Sequence, residues 1–401
     1  MVDRDPKVGT ADQAAEFNKR AGHIAVSHKG RALVWGGYQE NQVESDQYWS
    51  SGEIWLYNSL TQAWRRERTT GDIPSKCSGA AAAVLEDTMY VVAGFHKIVV
   101  SLRSLQSGIE DSDESEDSEE EEGEEGMMRM VGSVEISNTI WSLDLPSLRW
   151  TRLQPAGEPP LRCDKTGCWA YDDKIYIFGG FGPPPSSGQQ EKLGTLFQFC
   201  EDPSTARGGV ASYPRGWSNQ LVCFNTLTNR WEWPVTSGPA PSPRAAHSTV
   251  VIGSIAYVFG GRHLNTRLND LYSLDLVSLH WSLLLADSAA ENTPAGRSWQ
   301  TVTAIQTGRP EGGLLLYGGF DNNLEALGDC WRMDLAVEPV SWVRCPHLER
   351  GPRLWHAAAR VDPSQVIVIG GLTNNILASR FVEKHHAEEV GMSTLLTIRL
   401  V

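Results

Sequence analysis

The sequence predicts an all-β protein, a six-bladed β-propeller with four strands per blade. Three observations predict it. First, a glycine pair repeatedly closes an apolar strand: "ALVWGGY", "IYIFGGF", "AYVFGGR", "LLLYGGF" and "VIVIGGL". Second, five strands downstream of such turns run into a tryptophan, at Trp64, Trp150, Trp231, Trp281 and Trp342. Third, alternating and β-branched residues favour strand over helix throughout. A four-stranded unit recurring every roughly 50 to 85 residues is the signature of a propeller blade.

The blades follow in order. Blade one has "GHIAVS", the pair Gly36–Gly37, and "IWLYNSLTQAW" ending in Trp64. Blade two carries the degenerate copy "YVVAGFH", with Ala93 in place of the first glycine, and "IWSLDLPSLRW" to Trp150. Blade three has Gly179–Gly180 and "LVCFNTLTNRW" to Trp231. In blade four, "PRAAHSTVV" precedes Gly260–Gly261 and "LYSLDLVSLHW". Blade five runs from "GRSWQTVTAI" through Gly318–Gly319 to "CWRMDLAVEPVSW". Blade six has "PRLWHAAARV", Gly370–Gly371 and "LLTIRLV", with no terminal tryptophan. An open propeller would leave sheet edges exposed, so part of "TADQAAEFNKR" within residues 1–19 is expected to close blade six. Residues 20–401 then form one ring. Glycine is expected at the pairs because inner strands crowd near the axis and the chain must turn without a Cβ clash. Each tryptophan is expected to fill the space between neighbouring blades.

Two insertions interrupt this plan. One lies between Phe95 and Ile136 and contains "EDSDESEDSEEEEGEE", with 12 carboxylates in residues 110–125. Such a segment cannot bury enough apolar surface to offset its ordering entropy, and residues 101–130 are expected to be disordered. The other runs from Gly182 to Trp217 and contains aromatics, so part of it should be ordered.

The acidic run also explains the net charge. The whole chain of 401 residues carries −14, but removing those 12 carboxylates leaves −2, so the folded part is nearly neutral. That excludes the basic footprint of a nucleic-acid binder. The seven cysteines include no Cys-x-x-Cys pair, so no metal site is read from them. They read as reduced thiols of a cytoplasmic or nuclear protein. The first 30 residues hold no apolar signal core, and no apolar run approaches membrane-spanning length. No nucleophile elbow, zinc-protease helix or phosphate loop is present, so no enzyme activity and no cofactor are expected. His23, His247 and His356 recur at one place in three repeats, which reads as structural.

The loops of one face break the repeat. Arg262 follows a glycine pair where other blades have Tyr38, Phe181, Phe320 and Leu372, and Arg267 lies five residues on. Ser298 and Trp299 lie in "GRSWQT", Trp355 in "PRLWHA", Trp217 in "YPRGW" and Lys165 in "RCDKTGCW". Two arginines beside a hydroxyl and several indoles suit a small anion on an apolar stem, such as a peptide carboxylate. The same charges also suit salt bridges between blades.

"VWGGYQENQV", "YPRGW", "APSPRAAH", "FGGRHLNTRLNDLY", "GRSW", "PRLWHAA" and "GGLTNN" together resemble the kelch-repeat substrate receptors of cullin-RING ubiquitin ligases, over most of the chain. The resemblance implies recognition of C-terminal degrons with diglycine-like ends. It implies that Arg262, Arg267 and Ser298 hold the free carboxylate, and that Lys165, Trp217, Trp299 and Trp355 line the pocket. Phe181 stands where the family presents a tyrosine, so one hydroxyl contact is expected to be missing. The family's elongin and cullin partners dock on a helical box after the propeller. No leucine-rich helix is read before Val401, so these subunits are not expected to bind this chain unaided. The alternative is a kelch interaction scaffold that recognises no C-terminus.

Overall fold

The computed structural model describes residues 20–39, 47–101, 130–186, 196–200, 214–373 and 396–399. Among them, six sheets form the blades, antiparallel except where Thr70–Gly71 runs parallel to Arg149–Arg152 in blade two. Blade one is Ile24–His28, Arg31–Trp35, Glu53–Asn58 and Ala63–Arg68 in order from the axis outward. Blade four shows the unit at its most regular: Ser248–Ile252, Ile255–His263, Thr266–Asp275 and His280–Leu285. Blade six has three described strands, Ala357–Asp362, Gln365–Ile369 and Leu396–Arg399. The expected closing segment, residues 1–19, lies outside the described residues. The innermost strand of each blade neighbours that of the next, and Ala357–Asp362 returns to Ile24–His28. They enclose an axial cavity of about 540 Å³ walled by small side chains such as Ala82, Ala170, Thr249, Thr303 and Ala358.

The molecule has no single central core. Six apolar clusters occupy the six seams between blades, and five of them contain the terminal tryptophan of the later blade. Trp150 of blade two is fully buried against Trp35 of blade one, ring centroids 5.3 Å apart. Trp231 packs on blade two, Trp281 on Phe178 of blade three at 5.3 Å, and Trp342 on Phe259 of blade four at 5.2 Å. Trp64 packs against Ala359 and Ile367 of blade six. The seam between blades five and six is filled by Tyr317, Cys330, Leu348 and Ile398.

The glycine pairs crowd something other than the axis. They end the second strand of the blade and adopt left-handed φ, 71° and 114° at Gly179 and Gly180. A Cβ on Gly179 would lie 2.7 Å from Arg244 O, in the next blade. The second glycine meets its own blade: a Cβ on Gly261 would lie 2.7 Å from the His247 Cβ. The pairs therefore permit close approach between and within blades, which corrects the expectation of crowding at the axis. The recurring histidines belong to this packing, and all three are buried.

The first insertion is partly built. Phe95–Ser101 pairs with Met130–Ile136 in register from Phe95–Ile136 to Ser101–Met130, so the insertion is strand up to the two end residues of the 101–130 segment expected to be disordered. The acidic run itself lies outside the described residues. In the second insertion, Phe197–Phe199 pairs with Gly216–Ser218, which supplies the ordered part expected there. No described helix is long and apolar enough to cross a membrane.

Candidate functional site

Innermost strands start, and second strands end, on one face of the ring. On that face six residues, one per blade, hold left-handed backbone: Gly22, Gly79, Lys165, Ala246, Trp299 and Trp355, with φ from 55° to 64°. Their backbones close a ring of hydrogen bonds. Gly22 N–H donates to Trp355 O at 3.1 Å, Gly79 N–H to Gly22 O at 2.8 Å, and Lys165 N–H to Gly79 O at 2.8 Å. Ala246 N–H donates to Lys165 O at 2.8 Å, Trp299 N–H to Ala246 O at 2.9 Å, and Trp355 N–H to Trp299 O at 3.0 Å. Left-handed φ is unfavourable for non-glycine residues, especially bulky ones. Two indoles and a lysine are nonetheless held there, in a ring at one end of the innermost strands.

Blade four supplies the cations. Arg262 and Arg267 face each other across its hairpin. Arg262 is half-buried over the Trp217 ring at 5.6 Å, and its Nε–H donates to Leu264 O at 2.8 Å. Arg267 is buried, lies over Phe320 at 4.6 Å, and donates from Nε to Ser298 Oγ at 3.2 Å. Burial, then the nearby Arg262 charge, lowers the Arg267 pKa to about 10, with Asp321 opposing. It stays protonated at neutral pH. Among the described residues neither arginine forms an ion pair. Two other arginines show what pairing looks like in this fold. Arg244 grips Asp270 with two bonds, 2.6 and 2.9 Å, and Arg297 grips Asp329 at 2.6 and 2.8 Å. Each of those pairs lies within one blade; among the described residues Arg262 and Arg267 form neither such a pair nor the salt bridge between blades that is the alternative reading.

The eight residues named from sequence form one continuous surface. Phe181 pairs with Trp217, ring centroids 5.1 Å apart. Trp299 stacks on Trp355 at 5.3 Å and touches Phe320 at 5.9 Å. Trp299 Nε1 is buried without a hydrogen-bond partner among the described residues. Lys165 lies over the Trp355 ring at 5.5 Å, and its ammonium is already paired with the buried Asp164. It is less available to an anion than its sequence context suggests.

Sequence reasoning missed three contributors. Phe320 floors Arg267, and a residue after a glycine pair could have been suspected of facing this site. Tyr38 meets the edge of Trp355 at 5.5 Å. Asn322 ties blade five to blade four: Arg267 N–H donates to its Oδ1 at 2.7 Å, and its Nδ2 donates to Arg267 O at 2.9 Å. Fifty-five residues separate the two, and no spacing rule could have joined them. No group of metal-ligating side chains occurs among the described residues.

Comparison with known proteins agrees with this architecture. The KLHDC2/KLHL20/DRC7 Kelch-repeats domain matches residues 131–307 and 207–371. Kelch domain-containing protein 2 of Homo sapiens is 34% identical over 367 residues, covering 90% of this chain and 77% of that protein. Kelch domain-containing protein 1 of Mus musculus is 30% identical over 378 residues, covering 93% and 79%. Host cell factor 2 of Homo sapiens is more distant, at 26% over 331 residues. The chain therefore belongs to the KLHDC2/KLHL20/DRC7 Kelch-repeats family, whose propellers are protein-binding domains.

Proposed function

We propose that this face captures the free C-terminus of other proteins, with a preference for diglycine-like ends, and that the chain is a non-catalytic substrate receptor presenting them to a ubiquitin ligase. One observation carries the binding reading. Arg262 and Arg267 are juxtaposed without an ion pair among the described residues, whereas the buried Arg244 and Arg297 each grip an aspartate with two bonds. A terminal carboxylate supplies the missing anion, and guanidinium forks bind it with directional hydrogen bonds. Ser298, already accepting from Arg267, can turn its own O–H to the ligand. The Trp299–Trp355 stack leaves little room for side chains at the last positions, which favours glycine there. Trp299 Nε1–H, unpartnered among the described residues, is a donor for a peptide carbonyl. Presentation to a ligase rests on the resemblance alone.

The test is fluorescence-polarisation binding of a peptide ending in Gly-Gly, beside its amide and a Gly-Gly-Ala extension. Removing or displacing the carboxylate should cost on the order of 2–5 kcal/mol, roughly 30-fold or more in affinity. Arg262→Ala and Arg267→Ala should weaken the free acid strongly and the amide little. Equal binding of all three peptides would replace this reading with that of a scaffold for folded partners. Ubiquitination of a Gly-Gly-ended reporter, compared with its extended form in cells, tests the ligase arm separately.

A further inference from the structure

Two hairpin tips beside the arginine pair carry side chains that their turns do not favour. Leu264 stands at the tip of blade four with φ 53°, and Leu324 at the tip of blade five with φ 64°. Left-handed turn positions favour glycine, asparagine and aspartate. Both leucines are also exposed, at 37% and 43%. Each therefore runs against local preference twice, in backbone and in solvation.

Both tips are fixed relative to the guanidinium groups. The Arg262 Nε–H bond to Leu264 O holds the first tip against its own arginine. The second tip is tied to Arg267 through both hydrogen bonds of Asn322. It is stiffened from within by Asp321, whose carboxylate accepts from Asn323 N–H at 3.0 Å and Glu325 N–H at 2.8 Å. Apolar groups held in place bind at lower entropic cost than mobile ones.

We propose that Leu264 and Leu324 form an apolar lip beside the arginine pair. This lip selects, among peptides held by their terminal carboxylate, those with a large aliphatic side chain a few residues before the terminus. The inference rests on the carboxylate reading above. Chemistry commits the occupant: the guanidinium pair takes an anionic end group and the leucines take an apolar side chain. An extended chain advances ~3.3–3.6 Å per residue, so one short peptide reaches both.

The experiment uses peptides ending in Gly-Gly in an otherwise Gly/Ser background, with one leucine moved from the third to the sixth position from the end. Leucine at one or two adjacent positions should tighten binding about tenfold over the leucine-free parent. The double variant Leu264→Asn/Leu324→Asn should erase that gain. It should keep the parent's preference for free acid over amide. Asparagine suits left-handed turns, so the variant should melt no lower than the wild type. A gain at no position, or a gain undiminished in the variant, overturns the lip while acid dependence leaves the carboxylate reading standing. Equal binding of acid and amide, or no binding by any peptide, overturns both.

Discussion

Arg262 and Arg267 were legible as candidates because a cation directly after a glycine pair departs from the other blades. What holds Arg267 in place was not legible, because its clamp is a side chain from another blade. Asn322 satisfies both the N–H and the C=O of Arg267, so the arginine's backbone is fixed before any ligand arrives. Asn322→Ala should release that strand end. We expect free-acid peptide affinity to fall about fivefold, in keeping with the loss of ~1 kcal/mol of hydrogen bonding. The amide should bind as before, and the melting temperature should move by no more than about 2 °C. Asn322→Asp keeps the acceptor for Arg267 N–H and should recover part of the loss. Equal loss for acid and amide would mean that Asn322 supports the fold at large rather than Arg267. The left-handed positions were similarly hidden. Gly22 and Gly79 hint at them, but Lys165, Trp299 and Trp355 carry no local mark of their backbone.

At the scale of the blade, one position explains both a recurring residue and a pH response. His23, His247 and His356 pack under the second glycine of their blades, and Gln300 does the same in blade five, where a Cβ on Gly319 would lie 2.9 Å from its own. Burial, then Arg244 beside His247 and Arg353 beside His356, lowers both imidazole pKa values to about 3, and His23 is also well below its ordinary value. These groups are neutral in the fold and titrate near 6.5 once unfolded. Between about pH 6.5 and pH 3 the unfolded chain binds more protons than the native one. Stability therefore rises with pH across that window and is lost as pH falls below about 6.5. Each such histidine contributes about 1.4 kcal/mol per pH unit. The double variant His247→Gln/His356→Gln borrows the residue that blade five already uses. Its melting temperature should fall less from pH 7.5 to pH 5 than that of the wild type. A parallel fall in both proteins would assign the acid sensitivity to carboxylates such as Asp329, whose pKa is lowered by Arg297 against the cost of burial.

The whole molecule is a ring of seams, and its repeats were readable because each seam uses the same few residues. Apolar strands, glycine pairs and terminal tryptophans all announce themselves in one dimension. The way the last blade meets the first does not, since it joins residues from opposite ends of the described chain. That closure reuses the bond of four other seams. Gly371 N–H donates to Arg20 O at 2.8 Å, as Gly37 does to Cys77, Gly94 to Cys163, Gly180 to Arg244 and Gly319 to Arg353. The Gly22–Trp355 bond closes the inner ring at the same place. If closure is one seam among equals, damage there should cost what it costs elsewhere. A Cβ on Gly370 would collide with Arg20 O across the closing seam, and one on Gly179 would lie 2.7 Å from Arg244 O across an internal seam. Gly253 has a similar φ, 59°, but nothing within 4 Å, so Gly253→Ala isolates the backbone penalty, about 1 kcal/mol. Gly370→Ala and Gly179→Ala add a backbone clash and should each cost about 2–4 kcal/mol. In urea, followed by tryptophan fluorescence, both should lower the midpoint by similar amounts and well beyond Gly253→Ala. A Gly370→Ala midpoint matching that of Gly253→Ala would show a closing seam able to yield. The ring would then be an open arc held by its five other seams.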